Sequence, residues 1–313
     1  MSDPFDMRTE VVHGQAEPVA PGVRRVTCAN PSPMTFTGTR SYIVGRGEVA
    51  VIDPGPDDPA HLDAILAALA PGETVAAILV THSHLDHSPG ARLLAARTGA
   101  AVLGFGPHGA GMSAAMRALM RQAQAGGLDL GGGEGADRAF APDRCLGDGE
   151  SVAGPGWRLT ALHTPGHLSN HLAFALEGTG VLFTGDAAMG WATTLVSPPE
   201  GDMAAQVATL RRLAARPDRL YLPGHGHAVT APGALIAHLI RHRETRETAI
   251  LAALAAAGGG TAESLAAAVY RDLDPWLLQA AARNVLATLL GLLAEGRVDC
   301  PGPLSARAEF RPR

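Results

Sequence analysis

The stretch "THSHLDHS" (residues 81–88) places three histidines and an aspartate directly after the apolar run "VAAILV". Polar groups at the end of a buried strand are costly unless something pairs with them. Alternate residues of an extended segment point the same way, so His82 and His84 can approach one cation from one side. Asp86 and His87 come next in the loop and can face a second cation. Zinc sites are commonly built from His and carboxylate ligands, and a catalytic site keeps one position open for water. Three distant residues complete such a coordination: His163 in "HTPGH" (163–167), Asp186 in "TGDA" (184–187) and His225 in "PGHGH" (223–227). Asp186 suits a bridging position, because a carboxylate has two oxygens to share.

Elements with the right pattern lie in front of each of these residues. "GWRLTALHTPGH" (156–167), "GVLFTGDA" (180–187) and "DRLYLPGHGH" (218–227) each run an apolar strand into a turn carrying His or Asp. "SYIVGRGEVAVIDPG" (41–55) reads as two strands around a Gly-Arg-Gly turn, closing on Asp53. "PAHLDAILAALA" (59–70) and "MAAQVATLRRLAAR" (203–216) have helical spacing, and Ser88-Pro89 resembles an N-cap followed by Pro at the first helical position. Loops at one edge of a sheet scaffold are the expected place for the site. Residues 104–140 differ. Gly, Ala and Met dominate, "GGLDLGGGEGAD" shows no periodicity, and the absence of G-K-[ST] excludes a phosphate-binding P-loop, so a flexible flap beside the site is expected. From about residue 234, three helical segments and two short strands ("RVDCPG", "ARAEF") suggest a winged-helix appendage. The expected division is 1–240 for the catalytic domain and 241–313 for the appendage.

Composition narrows the function. Formal net charge is −5 over 313 residues, and every basic residue is Arg or His. A mildly acidic chain lacks the electrostatic footprint of an obligate nucleic-acid binder. Cys28, Cys145 and Cys300 are far apart and form no C-x-x-C, which reads as reduced structural thiols. No apolar run approaches the roughly 18 residues of a membrane span, and "MSDPFDMRTE" lacks the parts of a secretory signal. A soluble, cytoplasmic protein without membrane partners is expected.

Taken in order, "THSHLDH", "HTPGH", "GDA" and "PGHG", preceded by "VIDPG", resemble the motifs of the metallo-β-lactamase-fold hydrolases. "NPSPMTFTGTRSYIVG" (30–45) and the appendage are closest to the branch that contains β-lactamase-like protein 2, an endoribonuclease, and certain thioesterases. Arg40, where that branch has Asn, and "HLSNH" (167–171), where it commonly reads H-T-D-D-H, depart from it. The resemblance implies an α+β, αββα sandwich with a dinuclear metal site and a C-terminal winged helix. Carried over by motif, it assigns His82, His84 and His163 to one Zn²⁺ and Asp86, His87 and His225 to the other, with Asp186 between them. Fe or Mn also suits such ligands. Asp86 is the ligand to which we also assign a catalytic role. Asp53, His167, His171 and His227 take supporting roles, and His108 is read as an exposed residue of the flap.

The chemistry implied is hydrolysis by a metal-bridging hydroxide of a small-molecule ester, thioester or lactone. A metal-dependent endoribonuclease acting on RNA is the alternative, and a mononuclear-iron persulfide dioxygenase a more distant one. The proposed recognition helix, 276–295, offers only Gln279, Arg283 and Asn284 as polar readers, too little positive charge for phosphate-dominated binding. Residues 241–313 are therefore expected to pack against the catalytic domain or across a homodimer interface.

Overall fold

The computed structural model describes residues 4–133 and 135–313, with the backbone alone at Trp276. The first sheet runs in chain order through β1 (Ala16–Ala20), β2 (Val23–Thr27), β3 (Arg40–Val44), β4 (Glu48–Ile52), β5 (Thr74–Leu79), β6 (Ala101–Gly104) and β7 (Arg144–Cys145). Helix α1 (Pro59–Ala67) links β4 to β5, α2 (Pro89–Thr98) links β5 to β6, and α3 (Ala114–Ala125) lies between β6 and β7. The second sheet comprises β8 (Ser151–Gly154), β9 (Trp157–His163), β10 (Leu172–Leu176), β11 (Val181–Gly185) and β12 (Leu220–Pro223), in spatial order 12-11-10-9-8. Helix α4 (Met203–Ala214) crosses between β11 and β12, which pair in parallel.

Strand periodicity builds the layers. On β3, Tyr42 and Val44 face the space between the sheets, while Ile43 faces outward. On β10, Leu172, Phe174 and Leu176 face inward and Ala173 outward. The outward residues of the first sheet pack under Leu62 and Ile65 of α1 and Leu94 of α2. Those of the second meet Leu210 and Leu213 of α4 and Leu235 and Leu239 of α5 (Pro232–Ala257). The central strands of both sheets are buried on both faces, as in helix-covered sheets generally. The result is the expected αββα sandwich.

The C-terminal part adds β13 (Gly260–Thr261), α6 (Ala262–Val269), α7 (Pro275–Ala294), β14 (Val298–Asp299) and β15 (Glu309–Pro312), with β15 central in a small three-stranded sheet. The boundary expected at residue 240 falls inside α5, a continuous 26-residue helix whose first half packs on the sandwich and whose second half carries Ile250 and Leu254 into the C-terminal core. Leu277–Ala294 of α7 is long and apolar enough to cross a membrane, with mean hydropathy 1.5, contrary to the reading of the sequence. Val285, Leu286, Leu289 and Leu290 account for that composition, because all four are buried in this core.

The stretch 104–140 is not the structureless flap expected. It contains α3, capped by Ser113, whose Oγ accepts from the Met116 amide. Met116, Leu119 and Ala123 bury one face of α3 in the C-terminal core. Abundant Ala and Met hid a helical spacing that exists only at these positions. Beyond it the glycines are used individually. Gly132 has φ +85, and a Cβ there would stand 2.2 Å from the Pro198 carbonyl oxygen. Ser88 does sit at the N-cap position of α2, but its hydroxyl lies 3.1 Å from the His84 carbonyl and 2.9 Å from Asp137 Oδ2, donating to one of them instead of capping.

Because Leu290 is fully buried between α7 and its neighbours, Leu290→Ala is expected to destabilise the fold by about 2–5 kcal/mol, through lost burial and a residual cavity. Urea unfolding followed by circular dichroism measures this shift.

Candidate metal centre

The chemically suited residues converge at one edge of the sandwich, each just beyond the C-terminal end of a strand. β4 runs into Asp53, β5 into the 81–88 loop, β11 into Asp186 and β12 into His225. His82 Nε2 and His84 Nδ1 lie 3.0 Å apart, and His167 Nε2 is 3.0 Å from the same His84 nitrogen. On the other side His87 Nε2 and His225 Nε2 are 3.2 Å apart, with Asp86 Oδ2 at 3.4 and 3.1 Å from them. Asp186 lies between the two sets: Oδ1 is 3.7 Å from His87 Nε2, and Oδ2 is 3.4 Å from His225 Nε2 and 3.6 Å from His167 Nε2. These atoms form three overlapping groups able to hold a metal ion, namely His82/His84/His167, His82/His87/Asp186 and Asp86/His87/His225.

The outer hydrogen bonds determine what the inner nitrogens present. Asp53 Oδ2 accepts from His87 Nδ1 at 2.9 Å and from the Thr81 hydroxyl at 2.7 Å. With its proton given to Asp53, Thr81 Oγ1 accepts from His82 Nδ1 at 2.9 Å. His167 Nδ1 donates to the Leu195 carbonyl at 2.6 Å. With the outer nitrogens engaged in this way, Nε2 is the atom that His82, His87 and His167 each present to the cluster. Asp186 Oδ1 is buried and accepts no hydrogen bond. Carboxylates and imidazole nitrogens packed this closely need positive charge among them; protons on His87 and His225 can supply it, and the donor set also fits divalent cations in their place.

The protein's own groups give the two halves opposite proton affinities. Burial, and then the neighbouring His167, push His84 down to about 3. Burial also works to lower His225, but the charge of Asp186 and hydrogen bonds to Asp186 and Asp86 prevail and push it up to about 9. Asp186 lies well below the usual carboxylate range: burial opposes this, but His225 and His87 outweigh it. A cation binding at His225 below about pH 9 must displace a proton, so affinity rises with pH up to that point.

His163 is not in this cluster. It is the last residue of β9, its ring stacks on Phe105 with centroids 3.9 Å apart, and Nε2 donates to the Ser169 carbonyl at 2.9 Å. His167 occupies the place expected for it, a correction within the same "HTPGH" motif. The strand ends before the turn, so only the histidine after Pro-Gly reaches the site. His225 also follows Pro-Gly, and that parallel was the available signal. His171 supports: its Nδ1 donates to Thr164 at 2.8 Å, and its Nε2 accepts the Asp186 amide at 3.1 Å. His227 stands apart, donating to the Arg8 carbonyl. His108 is mostly buried, contrary to expectation, joining Ser83 at 3.0 Å to Glu200 at 3.3 Å.

The two departures from the branch pattern also have structural places. Arg40 is fully buried and donates to the Gly226 carbonyl at 3.1 Å, to Thr37 at 2.8 Å and to Thr27, bracing the His225 turn. Burial, with Arg25 next, pushes it down to about 10, so it remains charged near neutral pH. Asn170 Nδ2 donates to Ser83 Oγ at 3.0 Å and to the Gly106 carbonyl at 3.2 Å, holding the 81–88 loop from behind.

Residues 34–225 match the metallo-beta-lactamase superfamily, and residues 261–302 match the beta-lactamase associated winged helix domain. The chain belongs to the metallo-beta-lactamase superfamily, whose members are generally hydrolases, and its C-terminal part is that winged helix. It is 28% identical to lactamase-like protein adaB of Aspergillus niger over 95% of this chain and 88% of that one. It is 30% identical to an atrochrysone carboxyl ACP thioesterase of Aspergillus chevalieri, over 75% of this chain and 67% of that one. Identity to the beta-lactamase-like protein 2 homolog of Drosophila melanogaster is 28%, over 88% and 89%. A metallo-beta-lactamase family protein of Thermus thermophilus superposes on 95% of this chain and 100% of its own, with TM-score 0.74 and 26% identity. These relatives agree with the branch to which the motifs pointed.

The tightness of the site is expected to show at Gly224. A Cβ there would meet Asp186 Oδ1 at 2.4 Å and His87 Cε1 at 2.7 Å. Gly224→Ala should cost about 1–3 kcal/mol in urea unfolding. Gly233→Ala on α5, where nothing lies within 4 Å, should leave stability unchanged or slightly raised.

Proposed function

We propose that the protein is a dinuclear metal-dependent hydrolase of a small-molecule thioester. His82, His84 and His167 would hold one cation, Asp86, His87 and His225 the other, and Asp186 would reach both. The observation that carries this reading is the convergence of His and Asp donor atoms around an Asp186 oxygen that accepts no hydrogen bond. Divalent cations in such a site polarise an acyl carbonyl and acidify a bound water. Zinc suits the His and carboxylate donors, and so do iron and manganese. Two complete triplets favour a dinuclear centre over the single iron of a persulfide dioxygenase.

The chain's own residues supply the rest. Asp53 and the Leu195 carbonyl lock the imidazole tautomers, so the donor atoms need no rearrangement when a cation or substrate arrives. Asp86 has a side chain 27% exposed against 8% for Asp186. Burial favours its neutral form, but the adjacent His87 and the His225 hydrogen bond keep it well below the usual carboxylate range. Ionised and facing the opening, it can take a proton from the attacking water and release it toward the leaving thiolate. Leu85, between His84 and Asp86 in the chain, is 50% exposed and offers an apolar contact for an acyl group at the mouth.

The thioester is preferred because one relative is named as an acyl-carrier-protein thioesterase. The endoribonuclease reading loses two of its three readers, with Gln279 left exposed. Arg283 donates to Ser197 at 2.9 Å and to the Leu130 carbonyl at 2.7 Å, and Asn284 accepts the Val196 amide at 3.0 Å, so both side chains of α7 are committed within the protein.

The test is a parallel activity screen of the zinc-loaded protein against acyl thioesters, esters, lactones and short RNA, together with metal analysis of three variants. Thioester turnover is expected to dominate, and Asp186→Ala to abolish it. His167→Ala should lose one ion per chain, while His163→Ala should keep both. Turnover of RNA alone would overturn the substrate class, and ion loss in His163→Ala with retention in His167→Ala would overturn the ligand set.

A further inference from the structure

The winged-helix domain reaches the candidate metal centre through one peptide unit. The Leu195 carbonyl accepts the His167 Nδ1 hydrogen at 2.6 Å. The amide of the same peptide, Val196 N–H, donates to Asn284 Oδ1 on α7 at 3.0 Å. The C=O and N–H of a trans peptide point in opposite directions, so His167, the 195–196 peptide and Asn284 form a relay in which the backbone plane is gripped from both sides. Aligned hydrogen bonds of this kind polarise and strengthen one another.

The surroundings leave that plane little freedom. Thr194 Oγ1 donates to the Asp186 carbonyl at 2.7 Å, and the Thr194 carbonyl accepts from Arg243 of α5. Arg243 is buried and also donates to Asn284 Oδ1 at 3.4 Å, which orients the amide oxygen toward Val196. The Val196 side chain is buried between Met203 and Ala287. The segment touching both His167 and Asp186 is thus fastened from α5 and α7.

We propose that Asn284 is a positioning residue for His167. By holding the 195–196 peptide, the C-terminal domain sets the aim of a ligand in the catalytic domain and tunes affinity at the His82/His84/His167 position. This inference rests on the two-cation reading above. It gives the winged helix a role at the active site, with no nucleic acid involved.

The experiment measures Zn²⁺ bound per full-length chain over a series of buffered free-zinc concentrations, with Co²⁺ visible absorption as a record of ligand geometry. Wild type is compared with Asn284→Leu, which deletes the acceptor at similar volume, and with Asn284→Asp, which keeps an acceptor oxygen beside Arg243. Asn284→Leu is expected to weaken one of the two ions by about tenfold, as loss of a ligand's hydrogen-bonded support does, to leave the other unchanged and to alter the Co²⁺ spectrum. Asn284→Asp should restore wild-type binding. If Asn284→Leu does not fold, Asn284→Ala makes the same deletion without added bulk. Unchanged affinity for both ions in the folded variant, or equal weakening of both, overturns the proposal. A wild-type chain that binds no Zn²⁺ contradicts the functional reading itself and removes this inference with it, whereas two tight ions in both wild type and Asn284→Leu contradict only the inference.

Discussion

The crowding of inward-facing imidazole nitrogens against two carboxylates is the constraint on which the rest of the structure depends. Left to itself this cluster would turn its nitrogens outward or spread apart. The fold prevents both. Asp53 holds His87 directly and His82 through Thr81, and it does so from a backbone at φ 49, a left-handed conformation that Asp tolerates better than most residues. His171 holds the Asp186 amide, and Gly224 allows the His225 turn to pass against Asp186. The polar groups outside the centre keep the inner ones facing one another.

The sandwich supplies rigid mounting points for this arrangement. Strand alternation fills the space between sheets and both outer faces with apolar side chains, so the strands that carry the site are anchored in packed cores. The side chains of the centre come from four separate turns, and only the tertiary fold brings them within hydrogen-bonding distance. The C-terminal domain belongs to the same mechanical unit. Arg283 ties the Gly-rich 130–132 segment to the 197–198 turn, and α3 buries its apolar face in the C-terminal core. A domain with the outline of a nucleic-acid reader thereby commits Arg283 and Asn284 to loops of the sandwich domain.

Much of this was legible in the sequence, for identifiable reasons. The dense 82–87 cluster and the strand-to-turn pattern at Asp186 and His225 carry their spacing locally, the sandwich was implied by the family those motifs resemble, and the winged helix by the helices and short strands after about residue 234. What failed depended on where a strand stops or on a distant partner. His163 and His167 belong to one motif, and only the end of β9 at His163 decides which one turns inward. Helix α3 was missed because its amphipathic face is defined by a core more than a hundred residues away in the chain. The roles of Asn284 and the 195–196 peptide have no local signature, since backbone carbonyls are invisible to motif reading. Arg40, a departure in sequence, is a brace for the His225 turn in the fold.

Anomalous diffraction at the zinc edge, from crystals of the zinc-loaded full-length chain, tests the central claim most directly. Two peaks are predicted, one among His82, His84 and His167 and the other among Asp86, His87 and His225, with Asp186 in contact with both. A single peak, no peak, or a peak held by His163 would contradict the account.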